Sequence, residues 1–409
     1  MPEERRGAMS WREWTDAAAL RTRWPTDVGA HVRALAAHAQ PGRPPAVQIG
    51  ADRVPVLGRA RIYVCGITPY DTTHLGHAAT FVWADLAARA FALSGAEVEV
   101  CRNVTDIDDH LLAEARARNV SWRALATEET YRFGHDMTEL GVMHPTYEPR
   151  SFDFVDEVIA LAEELVASGA AYERAGTVYF RGASVRQRAG IGRPEAIDLV
   201  RARGGHPDDP DMEDPLDAVM WQRSAEDEPA WPSPWGHGRP GWHAECSAMA
   251  LATFGPSVDL HVGGEDLAFP HHAYEAAQAE SYTGVAPFAR SWLHVGSVTI
   301  GGAKMAKSAG NLVFVHDLLD QYGPGALRLL LLERPWRLPW EFDEAMLDGA
   351  AGRLEGLVAA SSKAASAPAV GPEIVAALVE DLDVPRALEL AGDAGGKPLH
   401  DLLGFLGLL

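Results

Sequence analysis

Hydrophobic and polar positions along the 409-residue chain fall into two periods, short β-branched or aromatic runs and longer stretches at helical spacing. Residues 47–49 and 61–64 are runs of the first kind and predict buried strands. Gly66 and Pro69 stop the second of them. From Leu75 the pattern turns helical through Ala78, Phe81, Val82, Asp85, Leu86, Arg89 and Ala90, and Ser94 and Gly95 end it with a glycine where a helix C-terminus wants one. Residues 97–101 predict another strand, and residues 103–109 turn into a further helix. The strand, loop and helix unit repeats, which is the mark of an α/β chain.

Further along, Ser121 is placed to cap a helix over residues 122–140, and Pro145 and Pro149 break the chain before a long helix over 152–168 closed by Gly169. Residues 177–180 read as a strand. Residues 181–218 are rich in Gly, Pro and Asp and read as an insertion, whose acidic run over 208–217 is expected to be a solvated loop. Strand character resumes at 218–221. A turn and helix follow at 241–254, a strand at 258–262, a helix at 270–282 and a last strand at 291–300. Beyond that the chain is helical, at 315–322, 325–332, 343–360, 372–380 and 385–390. The organisation expected is an N-terminal arm (1–45), a catalytic domain (46–335) with an insertion at about 141–218, and a C-terminal helical region (336–409).

Charge changes the picture first. Thirty-six Lys and Arg against 57 Asp and Glu give a net charge of −21, which weighs against broad contact with nucleic acid. The three cysteines, Cys65, Cys101 and Cys246, are too few for a disulfide framework and fit reduced thiols in a cytoplasm. No apolar run follows the charged N-terminus, and the longest apolar stretch, at 329–332, is too short to span a bilayer. A cytoplasmic location without membrane attachment is the expectation.

The candidate chemistry lies at element ends. Cys65 stands at the carboxyl end of a strand, and His74 and His77 stand where the next helix begins. In an open α/β sheet that edge binds ligands, and a helix N-terminus favours phosphate. Gly76, between the histidines, admits close approach of a nucleotide. Cys65 and Cys246 flank turns, His271 starts a helix after Pro270, and Glu275 lies four residues on, along the same face. Cys65, Cys246 and His271 form a soft donor set for zinc with one position left open. Composition alone leaves buried structural cysteines as the alternative.

Several of these residues carry a resemblance. His74-Leu75-Gly76-His77 resembles the HIGH signature of class I aminoacyl-tRNA synthetases, and Lys304-Met305-Ala306-Lys307-Ser308 resembles their KMSKS loop, with Ala306 in place of the usual serine. Cys65-Gly66-Ile67-Thr68, Asn103-Val104-Thr105-Asp106-Ile107-Asp108-Asp109, Gly241-Trp242-His243-Ala244-Glu245-Cys246 and Phe269-Pro270-His271-His272 narrow this to the cysteine-activating branch. The motifs span residues 45 to 345. The resemblance implies an α/β fold with a class I synthetase-like Rossmann (HUP-type) parallel sheet core, an insertion and a short C-terminal helical tail. It implies an enzyme that activates L-cysteine with ATP, which enters with Mg2+, and that holds one Zn2+ per chain through Cys65, Cys246 and His271. Glu275 matches the position where cysteinyl-tRNA synthetases place a fourth ligand and the mycothiol-pathway ligases do not, so by resemblance it leans toward the synthetase; it is that ligand, a partner behind the others, or a solvated helix residue.

By the same resemblance His74, His77, Lys304 and Lys307 serve the ATP phosphates. Cys65, Gly66, Ile67, Thr68, Thr80, Trp242 and Asp266 face the substrate, and Asn103, Val104, Thr105, Gly264, Glu265 and Val298 line the adenylate. Glu265 replaces the serine common at its position. Asp266 is also the candidate acceptor of an amine proton. Arg203-Gly204-Gly205-His206-Pro207 resembles a glycine-rich stretch of the mycothiol-pathway ligases, the shorter members of the branch, which join cysteine to glucosaminyl-inositol. Residues 73–80 resemble the same ligases. Only 101 residues follow Ser308, too few for stem-contact helices and an anticodon-reading domain. The expected acceptor is therefore the amine of the amino-sugar, with no tRNA. A cysteinyl-tRNA synthetase, a freestanding cysteine-activating ligase with another acceptor, and a non-catalytic cysteine or zinc sensor are the alternatives. Intact His74, His77, Lys304 and Lys307 argue against the sensor.

Overall fold

The structure is a computed structural model that describes residues 26–38, 46–70, 73–305, 310–365 and 370–409. Lys307 and Ala306 of the lysine loop, and most of the N-terminal arm, lie outside the described residues. The core is a four-stranded parallel sheet in the order Trp292–Val295, Leu260–Gly264, Arg59–Ile67 and Glu97–Val104. Its central strand is buried on both faces because helices cover both, so it reads as a continuous apolar run. Successive side chains point to opposite faces. Ile62 and Val64 pack into the main core with the helix Leu75–Leu93. Tyr63 and Cys65 face the other way, into a cluster with Cys246 and Phe254 of the helix Trp242–Phe254 and Ala276 of the helix Ala273–Thr283.

Polar residues as well as apolar ones hold the helix Leu75–Leu93 in place. Asp85 pairs with Arg89 at 2.8 Å and with Arg328, and all three side chains are fully buried. Arg89 donates to the Phe405 carbonyl at 2.6 Å and to the Gly141 carbonyl at 2.9 Å, and Arg328 donates to the Leu140 carbonyl at 3.0 Å. The sheet-covering helix, the helical segment Val315–Leu332 and the last helix, Gly396–Leu406, are thereby joined through one buried ionic group. Buried charges are tolerated only when paired and hydrogen-bonded, and here they are.

Four departures from the sequence expectations have local causes. The strand expected at 291–300 is two, Trp292–Val295 in the parallel sheet and Val298–Ile300 in a three-stranded sheet with Ala303–Lys304 and Trp340–Glu341. Gly296 lies between them, and a Cβ there would fall 2.4 Å from the Leu338 carbonyl carbon, so the chain can turn past residue 338 only without a side chain. The 181–218 segment contains a helix, Arg193–Ala202, with proline in its first turn. Its acidic run is not simply a solvated loop: Asp217 is buried and accepts hydrogen bonds from the Tyr172 hydroxyl at 2.7 Å and Gly182 N at 2.8 Å. Finally, Gly396–Leu406 is a helix that the Gly-Lys-Pro start concealed, and it buries Leu399, Leu402, Leu403, Phe405 and Leu406.

Strands Ala171–Arg174, Thr177–Phe180, Ala218–Arg223 and Gly238–Pro240 form a separate antiparallel sheet. It packs with the helix Val155–Ala167 around Val178, Phe180, Met220 and Trp221. The two helices expected at 315–322 and 325–332 are separated as the sequence implies, by Gly323 at φ 73° and ψ 167°. No described helix is long and apolar enough to cross a membrane.

Candidate active site and metal cluster

The strands Arg59–Ile67, Glu97–Val104, Leu260–Gly264 and Trp292–Val295 all end at one edge of the sheet, and the singled-out residues collect there. His74 occupies the N-cap of the helix Leu75–Leu93, with an extended backbone. Its Nδ1 accepts from Gly76 N at 3.1 Å and His77 N at 3.4 Å, satisfying two of the amide groups that a helix start leaves without partners. The two imidazoles stack, with centroids 3.8 Å apart and planes 24° from parallel. Burial lowers the His77 pKa, and the Lys304 ammonium lowers it further, to about 4, so this ring is neutral at pH 7.

Behind the histidine pair lies a buried cluster. The donor atoms of Cys65, Cys246, His271 and Glu275 all lie within 4.8 Å of one another. Cys65 Sγ is 3.5 Å from Glu275 Oε1, and His271 Nε2 is also 3.5 Å from that oxygen. The other His271 nitrogen, Nδ1, meets His243 Nδ1 at 2.7 Å, and the Trp242 ring stacks on His271 at 4.0 Å. This fixes the imidazole with Nε2 toward Glu275, the arrangement by which an outer partner orients a metal ligand. Asn103 links the strand ends: its Nδ2 donates to Cys246 Sγ at 3.2 Å and its Oδ1 accepts from Gly66 N at 2.9 Å. The backbones are so close that a Cβ on Gly66 would lie 1.6 Å from the Asn103 carbonyl oxygen.

The donor set fits a soft divalent metal. Burial pushes the Cys65 thiol well above its ordinary value and the Cys246 thiol up to about 12, so both stay protonated until a cation displaces the protons. Burial keeps His271 and His243 neutral, His243 falling to about 3, and a neutral imidazole is the ligating form. Burial pushes the Glu275 carboxyl up, but the His271 and His261 rings outweigh it and hold it below the usual range. Two thiols, an imidazole and an ionised carboxylate within one contact sphere suit tetrahedral zinc.

Sequence reasoning missed a second arc of histidines. Cys65 and Glu275 also lie within 4.8 Å of His261 and His272 donors. His261 Nε2 is 3.1 Å from Glu275 Oε2, and His272 Nδ1 is 2.9 Å from His294 Nε2. Glu275 thus stands between two donor sets. The available signal was His261 itself, a polar residue alternating with Leu260 and Val262 in a buried strand.

The Asp266 carboxylate joins the other end of the site. Lys304 Nζ lies 2.6 Å from its Oδ2, and the Arg203 guanidinium lies 3.1 Å from the same oxygen. Burial pushes the carboxyl up, but Lys304 and Arg203 outweigh it and hold it below its ordinary value. The Arg203 contact was not foreseen. Thr68 and Thr105 hydroxyls meet at 2.7 Å, and the Thr80 hydroxyl donates to the Gly76 carbonyl at 3.3 Å.

One cavity of about 850 Å³ connects these groups. Cys65, Gly66, Ile67, Thr68, His74, His77, Thr80, Asn103, Thr105, Trp242, Cys246, Gly264, Asp266, His271, Val298 and Lys304 all line it. Two residues expected along the adenylate do not. The Val104 side chain is 1% exposed and packs into the main core, because strand alternation turns it away from the face that Asn103 presents. Glu265 turns its carboxylate to accept from Ser297 N at 3.0 Å.

A family model described as tRNA synthetases class I (C) catalytic domain matches residues 54–352. A protein of Acidothermus cellulolyticus called L-cysteine:1D-myo-inositol 2-amino-2-deoxy-alpha-D-glucopyranoside ligase is 44% identical over 339 residues, covering 81% of this chain and 83% of its own. A protein of the same description from Mycolicibacterium smegmatis is 43% identical over 364 residues, covering 85% and 88%. Among solved structures, methionyl-tRNA synthetase of Mycobacterium tuberculosis in complex with methionyl-adenylate superposes with a TM-score of 0.59 at 18% identity, over 86% of this chain and 82% of that one. At that identity the likeness is one of fold. With the HLGH helix start, the parallel sheet and the match over residues 54–352, the chain belongs to the class I (C) tRNA synthetase catalytic-domain family.

Proposed function

We propose that the chain activates L-cysteine with ATP to cysteinyl adenylate and transfers the cysteinyl group to the amine of glucosaminyl-inositol. The observation that carries the activation step is the single cavity in which the thiol-bearing cluster, the stacked His74 and His77, and the Lys304–Asp266 pair meet. The acceptor follows the ligases to which the chain is 42–44% identical over most of both lengths, and it suits the net charge of −21. Residues 46–335 carry the chemistry in this reading, buttressed by the helical region at 336–409, and the enzyme works in the cytoplasm without tRNA or a membrane.

Cys65, Cys246 and His271 would hold one zinc ion per chain, with Glu275 as the fourth donor or its neighbour. Bound there, zinc would prefer a substrate thiolate over a hydroxyl, which separates cysteine from serine where an apolar pocket cannot. The remaining work falls to the protein's own groups. The substrate carboxylate attacks the α-phosphorus of ATP and pyrophosphate leaves, so negative charge develops at the phosphates. Lys304, with Lys307 as its companion in the loop, meets that charge, and the helix start carrying His74 and His77 offers amide dipoles. Asp266, kept ionised by Lys304 and Arg203, is better suited as a fixed anion facing the substrate ammonium than as a proton acceptor, because a depressed pKa weakens a base.

The test is AMP release from cysteine and ATP by the purified enzyme. Glucosaminyl-inositol should accelerate it and tRNA should not. Charging of tRNA with cysteine at a synthetase-like rate would overturn the acceptor. Full zinc content in Cys246→Ala would reject the ligand set.

A further inference from the structure

We propose that the acceptor, a polyhydroxylated primary amine, is received on the cavity wall formed by the helix Asp109–Ala117 and the turn at residues 202–204, with Asp108 and His110 as its polar contacts. This rests on the ligase reading above and assigns it a subsite. The buried end of the cavity belongs to the Cys65, Cys246 and His271 cluster, and another part of its lining to His74, His77 and Lys304. The wall built from Asp108, His110, Ala113, Glu114 and Gly204 is left without a task in activation.

Its shape and charge fit such a ligand. Ala113 and Ala117 lie one turn apart on the same helix face and leave a shelf where larger side chains would fill the space. His110 edges that shelf, and its ring stacks against Tyr70, with centroids 6.1 Å apart and planes 29° from parallel, presenting flat apolar surface to a sugar ring. Opposite, Gly204 adopts φ +84°, and a Cβ there would stand 3.6 Å from His110 Nε2, so the turn and the helix face each other across a narrow gap. The same turn is tied to the reacting end, since Arg203 lies 3.1 Å from Asp266. Asp108 caps the helix, accepting from His110 N at 2.8 Å, and is 5% exposed.

The cations here already have anionic partners. Arg203 pairs with Asp266, and Arg118 pairs with Glu114 at 2.5 Å. Beyond those pairs, this wall presents the Asp108 carboxylate, the His110 imidazole and the small apolar surface of Ala113 and Ala117. That set attracts an ammonium group and hydroxyls and repels a phosphate chain, which favours an amino-sugar over the end of a nucleic acid.

The experiment compares wild type with His110→Ala and Ala113→Leu. The first keeps the backbone amide that Asp108 caps, and the second puts a good helix former on the shelf. Cysteine-dependent ATP–pyrophosphate exchange, which needs no acceptor, reports an intact first half-reaction and should stay within about twofold. The KM for glucosaminyl-inositol in AMP release should rise about tenfold or more in both variants. Acceleration by the amino-sugar in wild type, with KM unchanged in both variants, would overturn the subsite alone. No acceleration in wild type would overturn the acceptor assignment and the subsite together.

Discussion

Replacing Glu275 by glutamine removes one negative charge from the centre of the cluster while keeping the side chain's shape. The carboxylate is 1% exposed and lies 3.5 Å from Cys65 Sγ, 3.5 Å from His271 Nε2 and 3.1 Å from His261 Nε2. Both neighbouring thiols are protonated without metal, so a dication entering the cluster must displace their protons, and an anion already in place offsets part of that cost. Loss of a group that supports a metal site from just outside typically weakens binding 10- to 100-fold, which is about 1.4–2.7 kcal/mol. Direct ligation would put the loss at or beyond the upper end. The assay is zinc competition against a chromophoric chelator at fixed pH, with a thermal melt to show that the variant is folded. A zinc Kd within about twofold of wild type would refute the reasoning. It would mean that His261 fully engages the Glu275 charge and that Cys65, Cys246 and His271 hold the ion alone.

Two further outcomes follow from buried charge. Asp85→Asn leaves Arg89 and Arg328 buried without their anion, and urea unfolding should show a loss of about 3–5 kcal/mol; a loss under about 1 kcal/mol would mean that the network contributes little. Burial pushes the Asp85 carboxyl up, but the two guanidiniums hold it below its ordinary value. Its contribution should therefore be complete above about pH 4 and lost as pH falls through the lower folded value, with the variant lacking that pH dependence. His77, neutral above about pH 4, should give pyrophosphate exchange no acid limb of its own between roughly pH 5 and 8; a limb near pH 6.5 that vanishes in His77→Asn would contradict the lowered pKa.

Much of the site was legible because its residues sit at ends of elements. Cys65 lies near the end of a strand, His74 caps a helix, Cys246 lies in the second turn of another and His271 stands two residues before a third, so short motifs located them without any knowledge of contacts. Arg203 was visible only as part of a glycine-rich turn. Its pairing with Asp266 joins residues 63 positions apart in the sequence, and nothing in either local pattern encodes that. The Glu265 side chain was misplaced for the same reason, since its partner is the backbone amide of Ser297.

By itself the sequence determined the α/β class, the central strand and the helix after it, and the identity of the soft donors, because these depend on periodicity and side-chain chemistry. Only the tertiary structure decided which donors meet. Parallel pairing of Tyr63 with His261 places His261 beside Glu275 as a further imidazole near the cluster, and strand alternation turns Asn103 toward Cys246 while Val104 goes to the core. The last helix was also a tertiary matter. Its Gly-Lys-Pro start is a poor local signal, and it is held by buried leucines and by carbonyls that receive Arg89 and Arg328 from distant helices. Such contacts stabilise only once the sheet has brought their partners together, so no window of neighbouring residues contains them.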